Sequence, residues 1–229
     1  MKKIIWIAMA ACAVLTIVTA GYLPSAAAQK AALSTAGGVI TLKGTETQTS
    51  PTVNISGGVY IVRRVAGEGF MSITVKDLAD NILHMTILQN QAGTYLLIVD
   101  GNPLKPGDVL FEIMGLGAWT VTVTKVDGSA AVALPQVLSG AEMTDAVSQP
   151  FKAAAGNLVM SYIYKNKPTG TGTLTICDVV TGKTLPMREM MYAGKISGGW
   201  SVPVPAAGVY IASASFPLAS GGGEVKLSQ

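Results

Sequence analysis

In the stretch Gly117-Ala118-Trp119-Thr120-Val121-Thr122-Val123-Thr124, a large apolar residue and a threonine take turns from Trp119 onward. Period-two alternation places Trp119, Val121 and Val123 on one face of an extended chain and the threonines on the other, the pattern of a half-buried antiparallel strand. Outward from there, Met71, Ile73 and Val75 alternate in the same way with Ser72, Thr74 and Lys76. Shorter strand candidates are Val39 to Leu42, Val59 to Val65, His84 to Leu88, Tyr95 to Val99 and Val109 to Met114. Turn residues separate them: Gly57-Gly58, Gly67-Glu68-Gly69, Asp80-Asn81, Gln91-Ala92-Gly93, Asp100-Gly101-Asn102 and Lys105-Pro106-Gly107-Asp108. Turn signals at such short, regular intervals predict an all-β fold of sandwich or barrel type.

The N-terminus reads differently. Lys2 and Lys3 precede an apolar run from Ile4 to Val18, followed by Gly21, Pro24 and Ser25-Ala26-Ala27-Ala28-Gln29. A basic start, an apolar centre and small residues before a polar one are the parts of a cleavable export signal, so residues 1–28 are expected to be a signal helix cut after Ala28. The competing reading is an uncleaved anchor, since Ile4 to Tyr22 approaches the roughly 20 residues that span a bilayer. Only in that case would the protein touch a membrane. Cys12 lies inside the apolar run, where a lipidated cysteine is not expected.

Beyond that signal, fourteen Lys and Arg face thirteen Asp and Glu, a net charge of about +1 by formal counting. The densest basic groups are Arg63-Arg64 and Lys165-Asn166-Lys167, too sparse for a nucleic-acid surface. Charged residues make up 13% of the chain, about half of what an ordinary soluble domain carries. Such poverty suits an exported β-protein or one that packs against neighbours. Cys177 is the single cysteine after residue 28, so no intrachain disulfide staples this part and packing must hold it. In Thr173-Leu174-Thr175-Ile176-Cys177, alternation sets Cys177 on the face opposite Leu174 and Ile176. It reads as a small filler on a partly covered face, against the alternative of an interchain disulfide or reactive thiol.

An internal echo organises the chain. Ser50-Pro51, Gly58-Val59-Tyr60, Ile73-Thr74-Val75-Lys76-Asp77, Asn81 and Pro106-Gly107-Asp108-Val109 return as Gln149-Pro150, Gly156-Asn157-Leu158, Leu174-Thr175-Ile176-Cys177-Asp178, Gly182 and Ala207-Gly208-Val209-Tyr210. The offset is near one hundred residues, with a small insertion around Lys165 to Thr171. The expectation is two tandem antiparallel β-sandwich domains, jelly-roll or Ig-like, over 29–126 and 127–229. The boundary falls between Lys125 and Gly140, at Asp127-Gly128-Ser129 and an alanine-rich stretch.

The rhythm of the first copy, a strand ending in Asp77, then Gly93-Thr94-Tyr95, a Pro-Gly-Asp turn and Gly117 to Val123, resembles the small β-sandwich modules of secreted bacterial proteins, among them the pre-peptidase C-terminal type. The resemblance covers Gln48 to Lys125 and, more faintly, the second copy. It implies a non-catalytic module that helps an exported protein attach to a surface, polymer or partner. Those modules usually accompany an enzyme, for which this chain has no room.

The residues themselves point away from catalysis. A Ser-His-Asp or Cys-His arrangement would have to use His84, the one histidine, which lies in a strand context with no nucleophile motif beside it. One His and one Cys offer no zinc-ligand spacing. Thirteen acids leave a paired-carboxylate arrangement open, though nothing in their spacing suggests it. No cofactor is expected. Asp77, Asp80 and Asn81 surround one turn and form a weak calcium candidate; an Asp that caps its own turn explains Asp77 and Asp178 alike with less. The sequon Asn54-Ile55-Ser56 reads as coincidence beside a bacterial-looking signal.

Trp119, Trp200, Tyr60, Tyr95, Tyr162, Tyr164, Tyr192 and Tyr210 are the residues a sugar-binding face would use. Trp119 shares phase with Val121 and Val123, Trp200 with Val202 and Val204, and Tyr162 and Tyr164 with Leu158 and Met160, so core placement is predicted. Met187, Met190, Met191 and Tyr192, around Arg188-Glu189, form the one locally odd segment, gap-filling or an adaptable contact surface. Two function classes follow. One is a periplasmic, cell-surface or extracellular binding or adhesion protein whose partner is a protein or polysaccharide. The other is a self-associating structural subunit of a filament, coat or matrix, in which Gln29 to Thr47 pairs with a neighbouring edge.

Overall fold

The computed structural model describes residues 30–36, 38–88, 93–100, 104–185 and 194–229. The expected signal (1–28) and the Met187 to Tyr192 segment lie outside them. The described chain is nearly all β, with several antiparallel sheets. No helix among the described residues is long and apolar enough to cross a membrane.

Among the described residues fifteen strands follow one another: β1 (Ala32–Ala36), β2 (Val39–Thr49), β3 (Val53–Ile55), β4 (Gly58–Lys76), β5 (Ile82–Leu88), β6 (Thr94–Val99), β7 (Gly107–Lys125), β8 (Gln136–Gly140), β9 (Asp145–Val147), β10 (Phe151–Ala153), β11 (Gly156–Tyr164), β12 (Thr173–Asp178), β13 (Ser197–Val204), β14 (Gly208–Ser215) and β15 (Gly223–Ser228). In the N-terminal half they form one seven-stranded sheet, β1-β2-β7-β4-β5, with β3 on β7 and β6 on β4. The C-terminal half has two four-stranded sheets, β13-β11-β15-β8 and β10-β14-β12, the latter with β9 on β14.

The two halves pair their strands in one order. β4 and β7 are 19-residue strands that remain partners from Tyr60↔Lys125 to Lys76↔Leu110, with register shifts between Arg64 and Met71. Their first and second parts correspond to β11 then β12, and to β14 then β15, while β2 corresponds to β8 then β9. Gly67-Glu68-Gly69, expected as a turn, is therefore a bulged bend inside a continuous strand. A bulge and a turn ask for the same residues, and pairing across the whole of β7 makes the difference. A second sign of equivalence is chemical. Ser50 N–H donates to Phe111 O at 2.8 Å, and its hydroxyl accepts from the Phe111 N–H at 3.0 Å. Ser148 does the same to Ala212, at 2.9 Å. The sequence echo paired Ser50-Pro51 with Gln149-Pro150; the hydrogen bonds pair Ser50 with Ser148.

Each half has its own apolar cluster. Val62, Met71, Ile73, Val75, Phe111, Ile113, Trp119, Val121 and Val123 are among the residues filling the first, and both faces that alternation predicted point inward. The second draws Leu158, Met160, Tyr162 and Val225 from one sheet and Phe151, Leu174, Ile176 and Tyr210 from the other, a sandwich-like layering. A third cluster lies between the halves: Val59, Leu96 and Val126 meet Cys177, Val179 and Ile211, with Ile61, Ile98, Val147 and Val209 at its border. Cys177 thus sits on the face opposite Leu174 and Ile176, as alternation requires, but that face is fully covered by the other half. The N-terminal segment forms two strands. Val39–Thr49 pairs with β7 and β1 in its own sheet and leaves β1, not β2, on the edge.

Candidate functional site

Where β2, β4 and β7 bend without breaking, the matching strands of the C-terminal half stop and restart. β8, β11 and β15 end or begin at one corner, paired as Gly140↔Gly223, Ser139↔Glu224, Ile163↔Glu224 and Tyr164↔Gly223. The row Ser139, Glu224 and Ile163 faces outward, and the residues that leave it are loops at 141–144, 165–172 and 216–222. The corner encloses a groove of about 600 Å³ lined by Ser139, Ile163, Lys165, Glu224 and the backbone of Gly221 and Gly223, among others.

The loops are held by main-chain bonds. Lys165 N–H donates to Gly222 O at 3.0 Å and Asn166 N–H to Ser220 O at 2.7 Å. The Gly221 N–H donates to Glu142 Oε2 at 3.2 Å. Gly222 has φ +86°, and a Cβ there would lie 2.5 Å from Gly140 O, so only glycine brings these two backbones together. Ile163 is 56% exposed, and Lys165 and Glu224 are exposed at the rim with opposite charges. Tyr164, beside them in sequence, points inward. Its hydroxyl is buried, has no partner among the described residues, and burial pushes its ionisation upward.

At the matching bend of the N-terminal half the space is filled. Trp119 is 2% exposed and donates its Nε1–H to Glu46 O at 2.8 Å. Gly44 makes room for it, since a Cβ there would lie 2.5 Å from the indole. Arg64 is buried alongside and donates Nη1–H to Gly69 O. Burial lowers its pKa, and nearby Glu68 opposes that shift.

The residues singled out from sequence are placed as follows. Asp77 Oδ1 accepts from the N–H groups of Ala79 (2.9 Å) and Asn81 (2.8 Å), and Oδ2 accepts from Asn81 Nδ2 (2.8 Å). The Asn81 side chain and backbone hold this carboxyl below its usual pKa. Asp80 turns to Lys76 Nζ at 3.0 Å, and the same ammonium meets Glu112 at 2.9 Å. The acids of this turn are thus engaged by a lysine and by backbone donors. Asp178 caps its own turn in the same manner, accepting from Val180 and Thr181. No group of three or more His, Cys, Asp or Glu side chains among the described residues could hold a metal ion.

His84 stacks on Tyr95 with ring centroids 5.8 Å apart, and burial lowers its pKa. Burial pushes the Cys177 thiol up to about 12, and Asp178 adds to the shift. Cys177 is a free, buried cysteine, in keeping with a small filler residue. Tyr60, Tyr95, Tyr162, Tyr164 and Tyr210 are buried. Trp200 is half-buried against the second core, edge-on to Tyr162 at 6.1 Å. Sequence reading did not single out Ser139, Ile163 or Glu224. The insertion at Lys165 to Thr171 and the run Gly221-Gly222-Gly223 were the signals available.

No protein-family model matches the chain, and no curated protein matches it. Among solved structures, a Paenibacillus xanthan lyase aligns over 87% of this chain at 10% identity with a TM-score of 0.24. This chain spans 25% of that enzyme's length. A Bacillus subtilis oxalate decarboxylase aligns over 89% of this chain and 78% of its own at 7% identity, with a TM-score of 0.20. At these scores neither likeness carries an argument about function.

Proposed function

We propose that the chain is an exported, non-catalytic binding or adhesion protein: a signal over 1–28, then two tandem β-sandwich modules over 29–126 and 127–229, with the corner groove of the second as the contact surface. The observation that supports this reading is the contrast between the two bends, one filled by Trp119 and the other opened into a groove of about 600 Å³. Its exposed apolar Ile163, opposite charges at Lys165 and Glu224 and glycine backbone suit an extended segment of a partner protein. A polysaccharide is less well served, because the one aromatic residue among the described residues that line the groove, Tyr164, is buried. The test is a titration of a random-peptide library and a glycan panel against the wild-type chain and against Ile163→Asp and Lys165→Glu. Peptide binding that falls at least about tenfold, or about 1.4 kcal/mol, in both variants is expected. Glycan binding indifferent to both substitutions would replace the groove with another surface.

A second reading, a self-assembling structural subunit, is favoured by a separate observation: the edges β1 and β5 carry neither charge nor proline.

A further inference from the structure

Edge strands carry unpaired N–H and C=O groups along one side, and folded proteins guard them with charge, proline, irregularity or brevity. Several edges here are guarded. β13 contains Gly198, Gly199 and Pro203, β3 and β10 are three residues long, and β6 lies against the other half through Leu96 and Ile98. β1 is five residues of small or inward-facing side chains. β5 is different. It pairs only with β4 among the described strands, and its one register shift lies at its entry, Lys76↔Ile82. Its seven residues, Ile82-Leu83-His84-Met85-Thr86-Ile87-Leu88, hold no Asp, Glu, Lys, Arg, Gly or Pro. Ile82, Met85 and Ile87 are 63%, 59% and 45% exposed. Met85 and Ile87 share the outer face with Thr74 and Ser72 and, beyond them, Glu112 and Met114.

We propose that β5 is a self-recognition edge, pairing antiparallel with β5 of a second copy and deepening the self-assembly reading on which it rests. A bare strand edge is complementary to another strand, because only an extended backbone matches its donors and acceptors. The second copy fits on charge. β5 has no formal charge to oppose itself, and Lys76 at its entry is held between Asp80 at 3.0 Å and Glu112 at 2.9 Å. It also fits on pattern. In an antiparallel pair centred on Thr86, Met85 lies opposite the partner's Ile87 and Ile87 opposite the partner's Met85, so the two-fold axis covers the same apolar residues twice. At the matching place of the C-terminal half β12 is the sheet edge; among the described residues it meets an isolated bridge at Thr184, and it ends in the charged Asp178.

A seven-residue edge covers well under the roughly 800 Å² per partner of a standard stable interface, so the pair is expected to be weak and set by concentration. Sedimentation velocity on the full chain over about 1 to 100 µM should show a monomer passing into a dimer. Met85→Lys and Ile87→Lys, which add the charge that guarded edges carry, should each weaken association at least tenfold, and Val180→Lys, at an exposed apolar residue elsewhere, should not. Hydrogen exchange on the wild-type chain gives a reading that needs no variant: amides of Ile82 to Leu88 should slow as concentration rises. Association equal in all four proteins would place the contact elsewhere and overturn the proposal. So would a monomer throughout with β5 exchange independent of concentration. Loss of peptide binding in the groove variants would leave this result untouched, since the groove lies in the other half.

Discussion

The N-terminal half carries its strands through a bend that the C-terminal half breaks three times. β4 and β7 cross theirs as paired 19-residue strands, with the irregularity confined to bulges around Gly67-Glu68-Gly69. β11 and β12, and β14 and β15, are separated by loops instead. Continuity needs a filler, and Trp119 supplies it against Gly44. Interruption frees three loops that leave a groove. One pairing plan thus yields a closed end in one half and an open end in the other.

The largest test of that contrast removes the filler. Trp119→Ala should cost the N-terminal half about 3–5 kcal/mol, as for a buried aromatic, whereas Trp200→Ala, half-buried, should cost about 1–3 kcal/mol. Urea unfolding followed by hydrogen exchange in each half measures both, and equal losses would mean that the bend does not depend on its tryptophan. A smaller effect probes the equivalence. Ser50→Ala and Ser148→Ala each leave a buried N–H, of Phe111 or Ala212, without its side-chain acceptor, at about 1–3 kcal/mol. Similar penalties are expected, and a loss at one site only would show that the two serines do different work.

The smallest effect is one of sign. Burial lowers the pKa of His84, so its contribution to stability is present above the ordinary value of 6.5 and is lost as pH falls through the lowered one. Burial raises the pKa of Asp145, so its contribution is fully present below the ordinary 3.8 and is lost as pH rises through the raised one. Acidification from neutrality should therefore loosen the N-terminal half while relieving the C-terminal half, and segment-resolved hydrogen exchange at two pH values reads the difference. His84→Gln should abolish the first effect.

Alternation made the inward faces legible. Ile73 and Val75, and Val121 and Val123, are completely buried as read. Other features were hidden for physical reasons. A glycine pair flanking Glu68 looks the same whether the chain turns or bulges, and only the partner strand decides. The cluster between the halves joins the outer faces of β4 and β6 to those of β12 and β14, and an apolar residue on an outer face carries no mark of what will cover it. The groove was legible only as an insertion and a glycine run, because the strand ends that meet there are about 25 to 85 residues apart in the chain and pairing alone unites them.

Because Cys177 faces away from the core of its own half, a C-terminal half folded by itself would leave the face that carries the sulfur without its full cover. It is covered when Val59, Leu96 and Val126 arrive from the other half. The thiol is therefore expected to report on docking. Pulsed alkylation during refolding should label it until the halves meet and not afterwards; labelling that continues in the folded chain would show that the other half is not what covers it.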